Sequence, residues 1–339
     1  MNKTLVAAII SVVIIIVSVV AGIFLLYSSQ TTLKKETITV VDGDGRAVTI
    51  PKSVNRVVSL VTGISGIIYE IGAGDKLVGV TQSLPFPHYY YYPETKKLAD
   101  VGSIANPNVE KIVELKPDVV FTTEFFLEAS KPIEERGIPV VAIRLNTVED
   151  IIWNVKFLGF VLGKEDNAKR LSQEMEKTII LIKSRTQKWV KENNLTTEEL
   201  PKVYVESSFG KTYGANSWCT EEISIAGGVN IYGTAVLKMP IPNTEYIVSQ
   251  NPDAIILFVV AKDYDDFLKK AKDYIESVKN RPGWENIKAV KENRFLVIDN
   301  HYTNFGPDQM KGIVAMAKFL HPYLFKDLEW PKWAYTTMK

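Results

Sequence analysis

The sequence is poor in the residues on which most metal and redox chemistry depends. Cys219 is its one cysteine, and His88, His301 and His321 are its three histidines. One cysteine excludes an internal disulfide, a cysteine-ligated cluster and a Cys₄ zinc site, and three scattered histidines do not make a His-rich metal centre. Charge of one sign is also lacking. Forty Lys and Arg stand against 39 Asp and Glu, a formal charge of +1, with no basic block of the kind a nucleic-acid surface needs. No G-x-x-x-x-G-K-[ST] nucleotide loop and no H-E-x-x-H zinc motif occurs. The nearest approach to a nucleophile elbow, Gly63-Ile64-Ser65-Gly66, lacks the spacing of G-x-S-x-G. These absences argue against an enzyme.

What the sequence does have begins with a long apolar run. Leu5 to Tyr27 carries no charge, and at about 1.5 Å per residue it is long enough to span a hydrocarbon core of roughly 30 Å. Secretory signals usually have an apolar stretch of only about 7–15 residues, and Ser28-Ser29-Gln30 is a poor cleavage site. We therefore expect an uncleaved signal anchor and linker over residues 1–36, with the bulk of the chain outside the cytoplasm. The sequon Asn194-Leu195-Thr196 is compatible with that side. No cysteine follows the run to carry a lipid.

Beyond the linker, Ile38 to Ile50 reads as two alternating strands around a Gly/Asp turn. Asp42 and Asp44 have no third carboxylate or distal Glu at calcium-loop spacing, so they are read as turn residues. Short strands then alternate with helices. Strands are expected at 56–60, 76–80, 118–122 and 139–143, with helices at 63–72, 108–115 and 130–136. This is parallel α/β layering. Thr147 to Leu162 is a helix ended by Gly163. Apolar residues at Ala168, Leu171, Met175, Ile179, Ile182 and Trp189 then mark one long helix from Glu165 to Asn193. After it the α/β pattern resumes: strands at 202–206, 253–258 and 294–298, helices at 220–226, 264–278 and 309–320. The expected fold is two Rossmann-like α/β lobes, residues 37–146 and 196–339, joined by a helical spine over 147–195. The halves contain an echo: Asn108-Val-Glu-Lys-Ile-Val-Glu-Leu-Lys-Pro-Asp118 aligns with Asn243-Thr-Glu-Tyr-Ile-Val-Ser-Gln-Asn-Pro-Asp253. Asn is a helix N-cap, Glu suits the first turn, and Pro stops the helix before the strand.

On these residues the sequence resembles the helical-backbone class of periplasmic binding proteins. The resemblance rests on five stretches in family order: the hairpin through Pro51, Arg56-Val-Val-Ser-Leu60 with its loop, Asp100–Thr123, Asn243–Leu257, and Arg281-Pro-Gly-Trp-Glu285 leading to Arg294–Asp299. It implies two lobes joined by one long helix, with cargo held between them. It also implies an ABC permease with its ATPase as partner, and an iron–siderophore, haem or cobalamin type of cargo. The family docks through one exposed glutamate on each lobe, and the matching positions are Glu110 and Glu245. No resident cofactor is expected, and the protein is expected to act as a monomer.

Ligand contacts in α/β sheets come from loops beyond the carboxyl ends of strands. Those loops are ring-rich and supply the candidates Tyr89, Tyr91, Phe125, Phe209, Tyr213, Trp218, Tyr302 and Phe305, with Met239 ahead of the second Glu-bearing helix. Such rings suit a large, partly flat chelate or corrinoid. Arg144 is a candidate for an anionic group and His301 for a contact to a cargo metal; a surface ion pair and a hydrogen-bonding loop residue are the plainer readings of each. The alternatives are a binding protein for a bare metal ion or small oxyanion, a membrane-anchored surface enzyme and an adhesion module.

Overall fold

The computed structural model describes residues 16–20, 36–81, 97–303 and 306–338. Residues 16–20 are helical, and the rest of the expected anchor lies outside the described residues, as do His88, Tyr89, Tyr91 and Phe305. Among the described residues no helix is long and apolar enough to cross a membrane.

Strands β1 (Thr37–Val41) and β2 (Ala47–Pro51) form the expected hairpin. Its turn is organised by Asp42, which is fully buried. The Asp42 carboxylate accepts from the backbone N–H groups of Asp44 at 3.0 Å, Arg46 at 2.9 Å and Ala142 at 3.2 Å, and from Arg46 Nε at 3.0 Å. With its oxygens so engaged, it is a turn hub and not a calcium ligand. A Cβ on Gly43 would lie 2.7 Å from the carbonyl carbon of Ile143, so glycine is what lets the turn sit against the sheet.

The first lobe follows: β3 (Val57–Ser59), α1 (Thr62–Glu70), β4 (Leu77–Val80), β5 (Ala99–Asp100), a small hairpin β6 (Gly102–Ser103) and β7 (Asn106–Pro107), α2 (Val109–Leu115), β8 (Val119–Thr123), α3 (Leu127–Glu134) and β9 (Val140–Ile143). Its sheet has the order β5-β4-β3-β8-β9 and is parallel throughout. Next come α4 (Val148–Leu162) and the 28-residue α5 (Glu165–Glu192), roughly 42 Å long at 1.5 Å per residue. The second lobe comprises β10 (Lys202–Glu206), α6 (Trp218–Ile225), β11 (Val229–Asn230), α7 (Thr244–Gln250), β12 (Ala254–Val259), α8 (Tyr264–Lys279), α9 (Lys288–Lys291), β13 (Phe295–Asp299), α10 (Gln309–Leu320) and β14 (Ala334–Thr336). Its sheet has the order β11-β10-β12-β13-β14, parallel except for β14, which pairs antiparallel with β13.

Strands β8, β12 and β13 in the sheet interiors, and the edge strand β9, are buried at every position, as expected of parallel sheets covered on both faces. One apolar cluster runs from the first sheet through α4 and the Ala168–Met175–Ile179–Ile182 stripe of α5 into the second sheet. A Cβ on Gly159 would lie 2.3 Å from Ala168 Cβ, so the backbone of α4 sits directly against the Ala168 methyl of α5 there. Thr147 and Asp150 form a capping box at the start of α4, and Gly163 ends it at φ 65°. The spine grips the second lobe through Arg185, bidentate to Asp327 at 2.6 and 2.8 Å, and through Trp189 packed on His321 at 4.5 Å.

Candidate functional site

Parallel topology sends every strand-to-helix loop of a lobe to one edge of its sheet. In the first lobe that edge carries Glu124–Phe126 after β8 and Arg144–Asn146 after β9. In the second it carries Ser207–Lys211 after β10, Val260–Ala261 after β12, Asn300–Thr303 after β13, and the long loop from Ile231 to Asn243. Large apolar side chains stand in solvent on these loops: Phe125 is 59% exposed, Phe209 66% and Met239 39%. Beside Phe209 is a hollow of about 380 Å³ lined by Ser208, Phe258, Val259, Val260 and Tyr274. Beneath it Glu206, 2% exposed, is clamped by Arg281 through two bonds of 2.7 Å and by the hydroxyls of Tyr204 and Tyr274 at 2.5 Å each. Burial alone would push this carboxyl up; the guanidinium and the two phenols hold it below the ordinary carboxylate value.

One cation of the second lobe reaches the first. Lys238 Nζ donates to Asn146 Oδ1 at 2.9 Å and Leu145 O at 3.5 Å, and lies 4.8 Å from the centre of the Phe125 ring. Asn146 is oriented by its own amide, which donates to Glu124 Oε1 at 3.0 Å. Burial pushes the Glu124 carboxyl up and the Lys238 ammonium down from their ordinary values. Arg144 stacks its guanidinium over Trp153 at 4.5 Å, and Asn154 holds its backbone at both N–H and C=O.

The echoed segments adopt one conformation twice. Asn108 Oδ1 caps Lys111 N at 3.0 Å and Asn243 Oδ1 caps Tyr246 N at 2.8 Å. Both helices end on a left-handed residue, Lys116 at φ 46° and Asn251 at φ 45°. Asp118 then accepts from Arg56 N at 3.0 Å, and Asp253 from Lys202 N at 2.9 Å. Each helix runs back along its sheet into the next strand, so its first turn lies toward the loop edge. Glu110 and Glu245 therefore occupy equivalent exposed positions on the two lobes. Glu110 makes a long contact to Arg136 at 3.5 Å.

Residues 57–302 match the family described as periplasmic binding protein. The chain belongs to that family. It is 29% identical over 301 residues to an uncharacterized ABC transporter substrate-binding lipoprotein, YvrC, of Bacillus subtilis, covering 86% of this chain and 87% of that protein. It is 26% identical over 312 residues to the molybdate-binding protein MolA of Haemophilus influenzae, covering 85% and 86%. The solved structure of MolA with molybdate superposes with a TM-score of 0.72 at 23% identity, covering 86% of this chain and 94% of that one. A cobalamin-binding protein of Halobacterium salinarum is 25% identical over 288 residues, covering 84% and 74%.

Within this periplasmic binding protein, several candidates from the sequence sit deeper than expected. Tyr213 and Trp218, 4% and 7% exposed, pack edge to face at 5.2 Å, and both lean on Phe258. They form the floor of the second lobe and not its open wall, because Trp218 begins α6 and that helix packs inward. Tyr302 is 3% exposed. His301 is buried, with Nδ1 2.7 Å from Asp299 Oδ1 and its ring against Tyr302 and Trp333. It is placed as a packed hydrogen-bonding residue and not as an open ligand. Among the described residues no group of three or more His, Cys, Asp or Glu is placed to hold a metal ion. Lys238 and Glu124 escaped the sequence reading. Lys238 sits in a loop without periodicity, and only the lobe-to-lobe distance reveals it.

Proposed function

We propose that this periplasmic binding protein is the substrate-capturing component of an ABC importer, taking a metal chelate or corrinoid between its lobes and delivering it to the permease. The observation that carries the cargo reading is the set of exposed apolar side chains on facing loop edges, Phe125 on one lobe and Phe209 and Met239 on the other. Rings left in water at the rim of a cleft suit a large, partly flat ligand. A cobalamin-binding protein among the relatives supports the same reading. A small oxyanion is the second reading, favoured by the likeness to molybdate-binding MolA. An oxyanion asks for converging N–H donors and little ring surface.

The reading includes delivery. Glu110 and Glu245 would each accept an arginine of one permease subunit, a charge-assisted contact that orients as well as attracts. Leu5–Tyr27 would hold the protein at the outer membrane face, and the protein would act as a monomeric binder without catalysis. The test is native mass spectrometry with visible absorbance, using cyanocobalamin, haem, a ferric siderophore and molybdate in turn. A stoichiometric complex with a chelate or corrinoid is expected. A complex with molybdate alone would replace this cargo with an oxyanion.

A further inference from the structure

The segment Leu145–Val148, which joins the last strand of the first lobe to the spine, is gripped from the second lobe at two points. At its far end Glu221 Oε2 accepts from Val148 N at 2.8 Å, at the start of α4. At its near end Lys238 donates to Asn146 Oδ1 and Leu145 O. The two side chains come from different parts of the second lobe, α6 and the loop between β11 and α7. They carry opposite charge, and each meets the matching polarity: an anion at a helix start, a cation at oxygen acceptors. The spine holds the same segment rigid from its own side, since Asp150 Oδ2 on α4 accepts from the N–H groups of Asn146 and Thr147 at 2.9 Å each.

A single grip leaves two bodies free to swing about it, and a second, offset grip stops the swing. We propose that Lys238 is that second grip, a positioning residue that fixes the width of the cleft mouth before cargo arrives. Its backbone is prepared for the task. Lys238 O accepts from Gly214 N at 3.0 Å and Pro240 O from Thr212 N at 3.1 Å, which pins the loop on both sides of the side chain. The neighbours Leu237 and Met239 remain exposed, so the loop is not held by apolar burial at this point. The socket is made for a cation. It presents two carbonyl-type oxygens and the face of Phe125, and the carboxylates of Glu124 and Asp150 offset part of the burial that pushes the ammonium down. Glu124 also orients the receiving amide of Asn146, which makes the socket a built arrangement rather than a chance surface contact.

The experiment needs no cargo, so its failure leaves the cargo reading untouched. Spin labels are placed on the full chain at Glu135→Cys in the first lobe and Lys272→Cys in the second, both exposed, with the buried Cys219 left unlabelled. Pulsed dipolar spectroscopy of the otherwise native protein should give one narrow distance. Lys238→Met, which keeps the aliphatic stem, should lose that single distance and give a broader distribution shifted by several ångströms, and Lys238→Arg should restore it. Asn146→Ala, which removes the socket and leaves the lysine, should broaden it in the same way. Thermal melts of each variant separate this from unfolding. A Lys238→Met distribution that overlays the native one in a folded protein overturns the proposal, as does broadening that arginine fails to reverse.

Discussion

Glu222 is a carboxylic acid with nowhere to put a charge. It is completely buried on α6 among Tyr213, Cys219 and Gln309. Its oxygens face the Gln309 amide, which favours the charged form, but no hydrogen bond of ordinary geometry joins the two side chains. Burial pushes this carboxyl well above its ordinary value, and the neighbouring Glu221 adds to the shift. The unfolded chain ionises Glu222 at the ordinary carboxylate pKa while the fold keeps it neutral. Stability from the neutral form is therefore full below the ordinary value and is lost as pH rises toward the raised one. Glu222→Gln, nearly isosteric, should remove that loss. Melting curves taken upward from about pH 5 should show the wild type falling progressively behind the variant as pH rises. Parallel curves for the two proteins would show that the acid titrates normally. No pattern in the sequence marks Glu222, since one glutamate in a helix normally faces water. Its burial follows from α10 packing on α6, which no local window contains.

At the scale of elements, the sequence was most legible where punctuation and periodicity agree. The long spine, the hairpin and the buried strands appear within a few residues of their expected ends. Helix α3 begins at Leu127, ahead of the expected Ser130, because a turn at Glu124–Phe126 runs directly into it. Strands β5, β11 and β14 escaped because two or three residues give no period to read, and their pairing is set by distant partners. The cleft was less legible than the fold. Exposed rings at Phe125 and Phe209 were found from loop position alone, whereas Tyr213, Trp218 and Tyr302 occupy similar loops and turn inward. Composition cannot distinguish the two.

The repeated Asn–Glu helix starts allow structural and docking roles to be separated. Asn243→Ala removes the cap to Tyr246 N and should cost about 1 kcal/mol in denaturant melts, with transport otherwise intact. Glu110→Ala with Glu245→Ala should leave melting and cargo affinity nearly unchanged, but lower transporter-stimulated ATP hydrolysis in reconstituted vesicles. Loss of cargo affinity instead would assign these glutamates to the cleft. Where α4 crosses α5, Gly159→Ala drives a methyl into Ala168 and should cost about 1–3 kcal/mol, read from the same melts.

For the whole molecule, two sheets covered on both faces are tied by one long helix, by the clasp at Leu145–Val148 and by the apolar cluster that runs through all three parts. The Arg185–Asp327 bridge belongs to this scale because it joins the spine to the tail of the second lobe. Hydrogen bonding to Arg185 holds the Asp327 carboxyl down to about 2. The linkage sign is opposite to that of Glu222: the contribution is present above the ordinary aspartate pKa and is lost as pH falls toward about 2. Acid melts of Arg185→Ala should lack that component. Both groups are open to water, so the difference should also shrink as salt is added.

Strand β14 has a consequence that concerns neighbouring molecules. It is three residues long, pairs antiparallel with β13 and forms the outer edge of the second sheet. β13, Phe-Leu-Val-Ile-Asp, is buried along its whole length. Without its cover it would present an apolar strand with a free row of N–H and C=O groups, a template for pairing with another chain. A chain ended before Pro331 should thus bring its second lobe into self-association. Light scattering during gentle warming should rise well before the far-ultraviolet signal of folding is lost. A truncated chain that stays monodisperse through its melt would show that β13 needs no cover.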